Sequence, residues 1–221
     1  MPLLDTRFFQ RDACQLAQAL LGKIIRRKYH NKWLAAQIIE TEAYYLEDKA
    51  SHASLGFTEK RKALFMPAGT IYMYYARGSD SLNISAEGEG NAVLIKSACF
   101  FQDRLSDPNA LQIMQQLNPA ASGAHRPADK LCAGQTLLCK ALHLKVSEWD
   151  QQQFNPELFY LDDTGYRPSA IIQTTRLGIP KDRDQQLMYR FIDADYCPMC
   201  TRNPLTQRNC LENRDYIIHK Y

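Results

Sequence analysis

Residues 38–54, IIETEAYYLEDKASHAS, set Glu40, Glu42, Tyr44, Tyr45 and His52 directly behind the apolar pair Ile38–Ile39. In an extended strand alternate side chains share a face, so Glu40, Glu42 and Tyr44 point the same way. A carboxylate held beside an aromatic wall is a natural general base for a water molecule. A second segment, GTIYMYY at 69–75, puts Tyr72 and Tyr74 on one face of another strand. Aromatics on two facing strands, with a histidine nearby, make walls for a flat ring. The same residues also fit a solvated strand end and an aromatic core stripe, and residue types alone do not separate these readings.

The elements that must position these groups can be read from periodicity. RDACQLAQALLGKII carries Ala13, Leu16, Ala17, Leu20 and Leu21 at helical spacing, and Gly22 ends the run. GKIIRRKYHNKWLAAQIIETEA reads as two strands around a turn at His30 and Asn31, with basic residues on the open faces. HASLGFTEKRKALFMPAG is a basic loop or short helix. TIYMYYARG and NAVLIKSACF are strands rich in β-branched and aromatic residues, and the polar, glycine-containing SDSLNISAEGEG between them reads as a connection. FQDRLSDPNALQIMQQL predicts helix in two pieces broken near Pro108, and GQTLLCKALHL predicts another helix. SAIIQTTRLGI and QLMYRFID predict further strands, NPAASGAHRPADK a surface loop, and Cys197–Tyr221 a polar tail against the body. Strands and helices without a βαβ rhythm imply an α+β fold with a curved, mostly antiparallel sheet.

Bulk properties narrow the class. With 221 residues, 45% hydrophobic and 23% charged, the chain can bury one sizeable core and is expected to form a single domain over 1–221, with 197–221 as an appended tail. No apolar run approaches the roughly 20 residues of a membrane-spanning helix. The first residues lack a signal-peptide pattern, so an intracellular protein is expected. Seven cysteines at irregular spacing make a poor disulfide framework. A net charge of +3 permits a nucleic-acid partner without requiring one.

The segments PLLDTRFFQRDACQLAQALLGK, IIETEAYYLEDKASHAS, MPAGTIYMYY, LNIS and NAVLIK, followed by LCAGQTLLCKALHL and TTRLGI…LMYRFID, resemble the alkyladenine (3-methyladenine) DNA glycosylase family in order and spacing, over about residues 2–195. The resemblance implies an open, barrel-like α+β domain. It implies excision of alkylated or deaminated purines from double-stranded DNA by hydrolysis of the N-glycosidic bond, with no cofactor and as a monomer. It assigns Glu42 as the general base and Lys96 to the place of a group near the attacking water. Tyr44, His52 and Tyr74 become the walls and edge of a flipped-base pocket, Asn83 the residue screening the purine edge, and Leu177 a backbone contact to the water. Lys60, Arg61 and Lys62 suit phosphate contacts.

Three departures stand out. Arg77 precedes Gly78 where the family's YVYxxYG carries a tyrosine wedge. Lys96 stands where the family's VLIR carries arginine, keeping the charge and losing the planar fork. Leu137 replaces a DNA-contacting lysine. Cys197, Cys200, Cys210 and His219 loosely suggest zinc ligation, though the family implies no metal. Two other readings stay open: a damaged-DNA- or nucleotide-binding relative with little or no catalysis, and a hydrolase of free nucleosides.

Overall fold

The strand bearing Glu42 is β2 (Lys32–Tyr44), 13 residues long and the hub of the molecule. Strand β1 (Ile24–Tyr29) pairs with its first half through a hairpin whose turn residues, His30 and Asn31, both have positive φ (44° and 62°). That two-residue turn matches the right-handed twist of the strands it joins. The computed structural model describes residues 3–221; Met1 and Pro2, where the family resemblance begins, lie outside the described residues.

The remaining strands are β3 (Ile71–Ala76), β4 (Ser79–Ser85), β5 (Ala92–Phe100), β6 (Phe159–Asp162), β7 (Ala170–Thr174), β8 (Arg190–Asp193) and β9 (Tyr216–Lys220). Among the described residues they form one antiparallel sheet in the order β3-β4-β5-β2-β8-β7-β9, with β1 and β6 branching from the first half of β2. The sheet is not closed, since β3, β6 and β9 end its branches. One face packs on α2 (Ala13–Leu20), α3 (Ala110–Leu117) and α4 (Gln135–Ala141), with the short α1 (Thr6–Phe9) and α5 (Val146–Trp149) at its margins.

Helix α2 forms where its apolar period predicts. Asp12 caps it by accepting from Cys14 N (2.9 Å) and Gln15 N (3.2 Å), and Ala13, Leu16, Ala17 and Leu20 are buried. Full burial of a leucine such as Leu16 is worth about 1.5–3 kcal/mol. Gly22, at φ +81°, turns the chain into β1, and a Cβ there would lie 2.5 Å from the Tyr166 ring.

Two bulges decide which side chains face the site. Ile38 pairs with Ala98 and Glu40 with Ser97, leaving Ile39 extra on β2; Glu40–Ser97 is followed by Thr41–Ile95, leaving Lys96 extra on β5. Before the slip Leu34, Ala36 and Ile38 face the helical core, and after it Thr41 and Ala43 do. Thr41 Oγ1 donates to Ala17 O of α2 at 2.8 Å, which confirms that side. Without the extra residue, the strand period of two would drive Glu40 and Glu42 into the apolar core.

The sequence reading is corrected in four places. Residues 79–85 are strand β4, not a connection: Leu82 and Ile84 face the core, while the buried Ser81, Asn83 and Ser85 give the opposite face its polar character. Lys23, Arg26 and Arg27 are buried, not on open faces, because carboxylates from distant segments meet them. Asp162 and Asp103 hold Arg26 (3.0 and 2.7 Å), Asp163 holds Lys23 (2.9 Å) and Glu148 holds Arg27 (3.2 Å). Of the two helical pieces expected over 101–117 only α3 forms; Asp103 instead accepts from Leu105 N and Ser106 N, tying a turn. The tail does more than lie against the body, since Tyr216–Lys220 is the edge strand beside β7.

Candidate active site

Glu42 is fully buried, on the sheet face away from the helical core. Its Oε2 accepts from Tyr44 Oη at 2.8 Å, and its Oε1 meets Lys96 Nζ at 3.2 Å and Leu177 N at 3.4 Å. Tyr44 follows two residues later on the same face. Lys96 reaches Glu42 from the neighbouring strand because its bulge frees it from the ladder. Burial, then the Glu42 charge, holds the Tyr44 phenol well above its ordinary pKa, so it remains a donor.

Above this carboxylate lies a cavity of about 220 Å³. Tyr44, His52, Tyr74, Asn83, Lys96 and Leu177 all line it, so six residues proposed from sequence converge on one hollow, with Glu42 behind its floor. Tyr72 and Tyr74 stack with ring centroids 5.7 Å apart, and His52 sits edge-on to Tyr74 at 4.4 Å. His52 Nδ1 and Tyr72 Oη share a hydrogen bond of 2.8 Å. The histidine is exposed, yet desolvation first, and the charges of Arg61 and Arg183 next, hold its pKa below the usual value. That direction favours the neutral imidazole, which presents one donor and one acceptor. Asn83 Nδ2 donates to Tyr72 O at 3.2 Å, which fixes the amide across the sheet from Leu94.

Sequence reasoning gave no role to Arg176 or Gln135. The Arg176 guanidinium lies 4.5 Å over the Tyr44 ring, donates to Ala43 O at 3.1 Å and pairs with buried Asp48. It thus anchors the chain immediately before Leu177, whose N–H faces Glu42. Its signal was the arginine in TTRLGI. Gln135 lines the cavity from the first turn of α4.

The basic residues proposed for DNA contact come from two elements. Lys60 and Lys62 are exposed on the 3-10 helix Glu59–Phe65. Arg61 is half-buried and donates to Leu55 O (3.0 Å) and Gly56 O (2.7 Å), bracing its own loop. Arg77 is exposed at the β3–β4 turn with φ +51°, next to Gly78 at +77°. Leu55, Phe57 and Tyr75 are exposed apolar or aromatic residues near these charges in sequence. Leu137 belongs to α4, two residues after Gln135 and so on the opposite side of the helix.

Among the described residues no group of three or more His, Cys, Asp and Glu side chains is placed to hold a metal ion. Cys197, Cys200 and Cys210 pack with Ile172, Ile192 and Tyr216, while His219 Nε2 bonds Gln173 Oε1 at 2.8 Å. Among the described residues no helix is long and apolar enough to cross a membrane.

Comparison with known proteins identifies the class. A family model described as methylpurine-DNA glycosylase matches residues 7–197. A Pseudomonas syringae pv. syringae protein named as a 3-methyladenine DNA glycosylase is 64% identical over 97% of this chain and 96% of its own length. A Pseudomonas aeruginosa protein of the same name is 63% identical over 98% of this chain and 90% of its own. Human DNA-3-methyladenine glycosylase is 32% identical over 80% of this chain and 60% of its own length. The enzyme is a DNA glycosylase, a hydrolase that excises damaged bases in DNA repair. The chain belongs to the methylpurine-DNA glycosylase family.

Proposed function

We propose that this glycosylase removes alkylated purines of the 3-methyladenine type from double-stranded DNA by flipping the nucleotide into the cavity and hydrolysing its N-glycosidic bond. The observation that carries the reading is Glu42, held by Tyr44, Lys96 and Leu177 behind a cavity on the order of one bicyclic ring in size. Flipping costs a few kcal/mol of unstacking, and each base–aromatic contact returns about 1–3 kcal/mol, so walls formed by Tyr44, Tyr74 and His52 offset much of it. A 3-alkylated adenine is cationic, which electron-rich tyrosine faces favour.

Glu42 takes a proton from water as the water oxygen bonds to the deoxyribose C1′. The C1′–N bond breaks, and its electron pair neutralises the cationic purine, so this lesion leaves without a general acid. Deaminated, neutral purines need a proton as they leave, which makes them poorer substrates. Lys96 supplies a fixed positive charge beside Glu42, and Leu177 fixes the water from its backbone. Lys96 is paired with Glu42, and water rather than an amine attacks the sugar, so the enzyme is monofunctional. Asn83 screens the purine edge. Lys60, Arg61 and Lys62 contact phosphates, and Arg77 fills the gap left by the flipped nucleotide.

The test is release of 3-methyladenine from methylated duplex DNA by the wild type and by Glu42→Gln. The variant is expected to lose about 10²–10⁴-fold in single-turnover rate, the range of general base catalysis. Wild-type rates in Glu42→Gln would remove Glu42 from the mechanism. Release only from free nucleosides would remove the duplex substrate.

A further inference from the structure

Glu40 shares the face of Glu42 but does not line the cavity, and the mechanism above does not use it. It is fully buried and accepts four hydrogen bonds: Ser97 Oγ (2.5 Å), Thr201 Oγ1 (2.6 Å), Arg190 Nε (2.7 Å) and Thr201 N (3.0 Å). Arg190 is equally buried, and its Nη2 donates to Thr201 Oγ1 (3.0 Å) and Arg202 O (2.9 Å).

Stability is a weak explanation for such a cluster. A buried ion pair loses most of its attraction to desolvation, and apolar residues of similar volume often do as well. Its location is more telling. Ser97 directly follows Lys96, the extra residue on β5; Glu40 directly follows Ile39, the extra residue on β2; and Arg190 is the cross-strand partner of Glu42 on β8. Glu40 therefore ties three strands together at the point where both registers slip. A bulge lacks its share of ladder bonds, so its geometry must be held by something else. Here the remaining ligand of the clamp comes from Thr201, in the segment after residue 197, where the family match ends.

We propose that Glu40, Arg190 and Thr201 form a positioning unit that holds the double bulge, and through it Glu42 and Lys96, in register, so that the C-terminal segment beyond the family match is part of the excision machinery. The inference rests on the role given to Glu42 above. Without the clamp, the bulge residues relax by a fraction of a strand repeat, and Lys96 Nζ no longer stays 3.2 Å from Glu42 Oε1.

Thr201→Val deletes the hydroxyl that bridges Glu40 and Arg190 while keeping side-chain volume, and Thr201→Ser restores the hydroxyl. Both are measured beside the wild type for single-turnover release of 3-methyladenine and for affinity to a duplex with a non-cleavable abasic-site analogue. Thr201→Val is expected to lose about 10- to 100-fold in rate, the cost of displacing a reacting group by up to about 1 Å. Its duplex affinity is expected to stay at the wild-type value, and Thr201→Ser to recover the rate. Glu40→Gln, which keeps the shape and removes the charge, is expected to lose rate in the same direction.

A wild-type rate in Thr201→Val would overturn the proposal. So would a parallel fall in rate and affinity, which indicates general loosening, or a failure of Thr201→Ser to recover. The two readings fail differently: an unaffected Glu42→Gln removes the base on which this inference rests, whereas an active wild type, a dead Glu42→Gln and an unaffected Thr201→Val remove the clamp alone.

Discussion

Tyr44 has two partners with different demands. Its hydroxyl donates to Glu42, while its ring lies under the Arg176 guanidinium, which in turn pairs with Asp48. Tyr44→Phe separates them by keeping the ring and deleting the donor. Leaving the Glu42 Oε2 acceptor unpaired is expected to lower the unfolding free energy by about 1–3 kcal/mol, read by denaturant titration. Excision is expected to slow while binding of a lesion duplex is retained, because the stacking wall survives. Glu42, Tyr44 and His52 were legible in the sequence because a strand period of two, together with one family-like segment, fixes their relative placement. The aromatic lining from β3 was legible in the same way, since Tyr72 and Tyr74 alternate with core residues, whereas Asn83 was marked only by the family-like LNIS, its segment having read as a connection. Arg176 was not, because its partners lie on the order of a hundred residues away and no local pattern announces them.

At the scale of elements, the β3–β4 hairpin carries Tyr74 and Asn83 on its inner face and Arg77 at its tip. If the Arg77 guanidinium fills the gap beside a flipped nucleotide, Arg77→Ala is expected to slow excision from duplex DNA and to leave excision from a single-stranded lesion unchanged. Equal rates on both substrates would remove that role. Strand β4 itself was misread from sequence for a physical reason. Its serines and asparagine look like loop residues, yet they are polar because they back a polar site, while Leu82 and Ile84 alone mark the strand period. The doubled Ile38–Ile39 was the local trace of the bulge, two apolar residues where strict alternation expects one. Which of the two is extra becomes fixed only by pairing with β5.

Across the whole molecule, stability depends on carboxylates whose environments differ. Asp193, at the end of β8, accepts from Tyr166 Oη (3.0 Å) and Asp195 N (3.1 Å), and burial raises its pKa from 3.8 to about 6. A carboxyl with a raised folded-state pKa binds its proton more tightly folded than unfolded. Its contribution is full below about pH 4 and is lost as the pH rises to about 6. Asp103, lowered to about 2 chiefly by its hydrogen bond from Arg26, acts oppositely: its contribution is present above 3.8 and lost as the pH falls towards 2. Asp193→Asn is therefore expected to flatten the fall in unfolding free energy between pH 4 and 6, measured by denaturant titration across that range. An unchanged slope would show that Asp193 does not titrate in that window. The hub position of β2 has a last consequence, for how the enzyme fails. The strand that carries Glu42 is braced by β1, β5 and β8 at once, so freeing it requires breaking most of the sheet. Local opening that reached Glu42 would cost nearly the full unfolding free energy. Heat or denaturant should then give no population of folded but inactive enzyme, and loss of excision should coincide with loss of the fold.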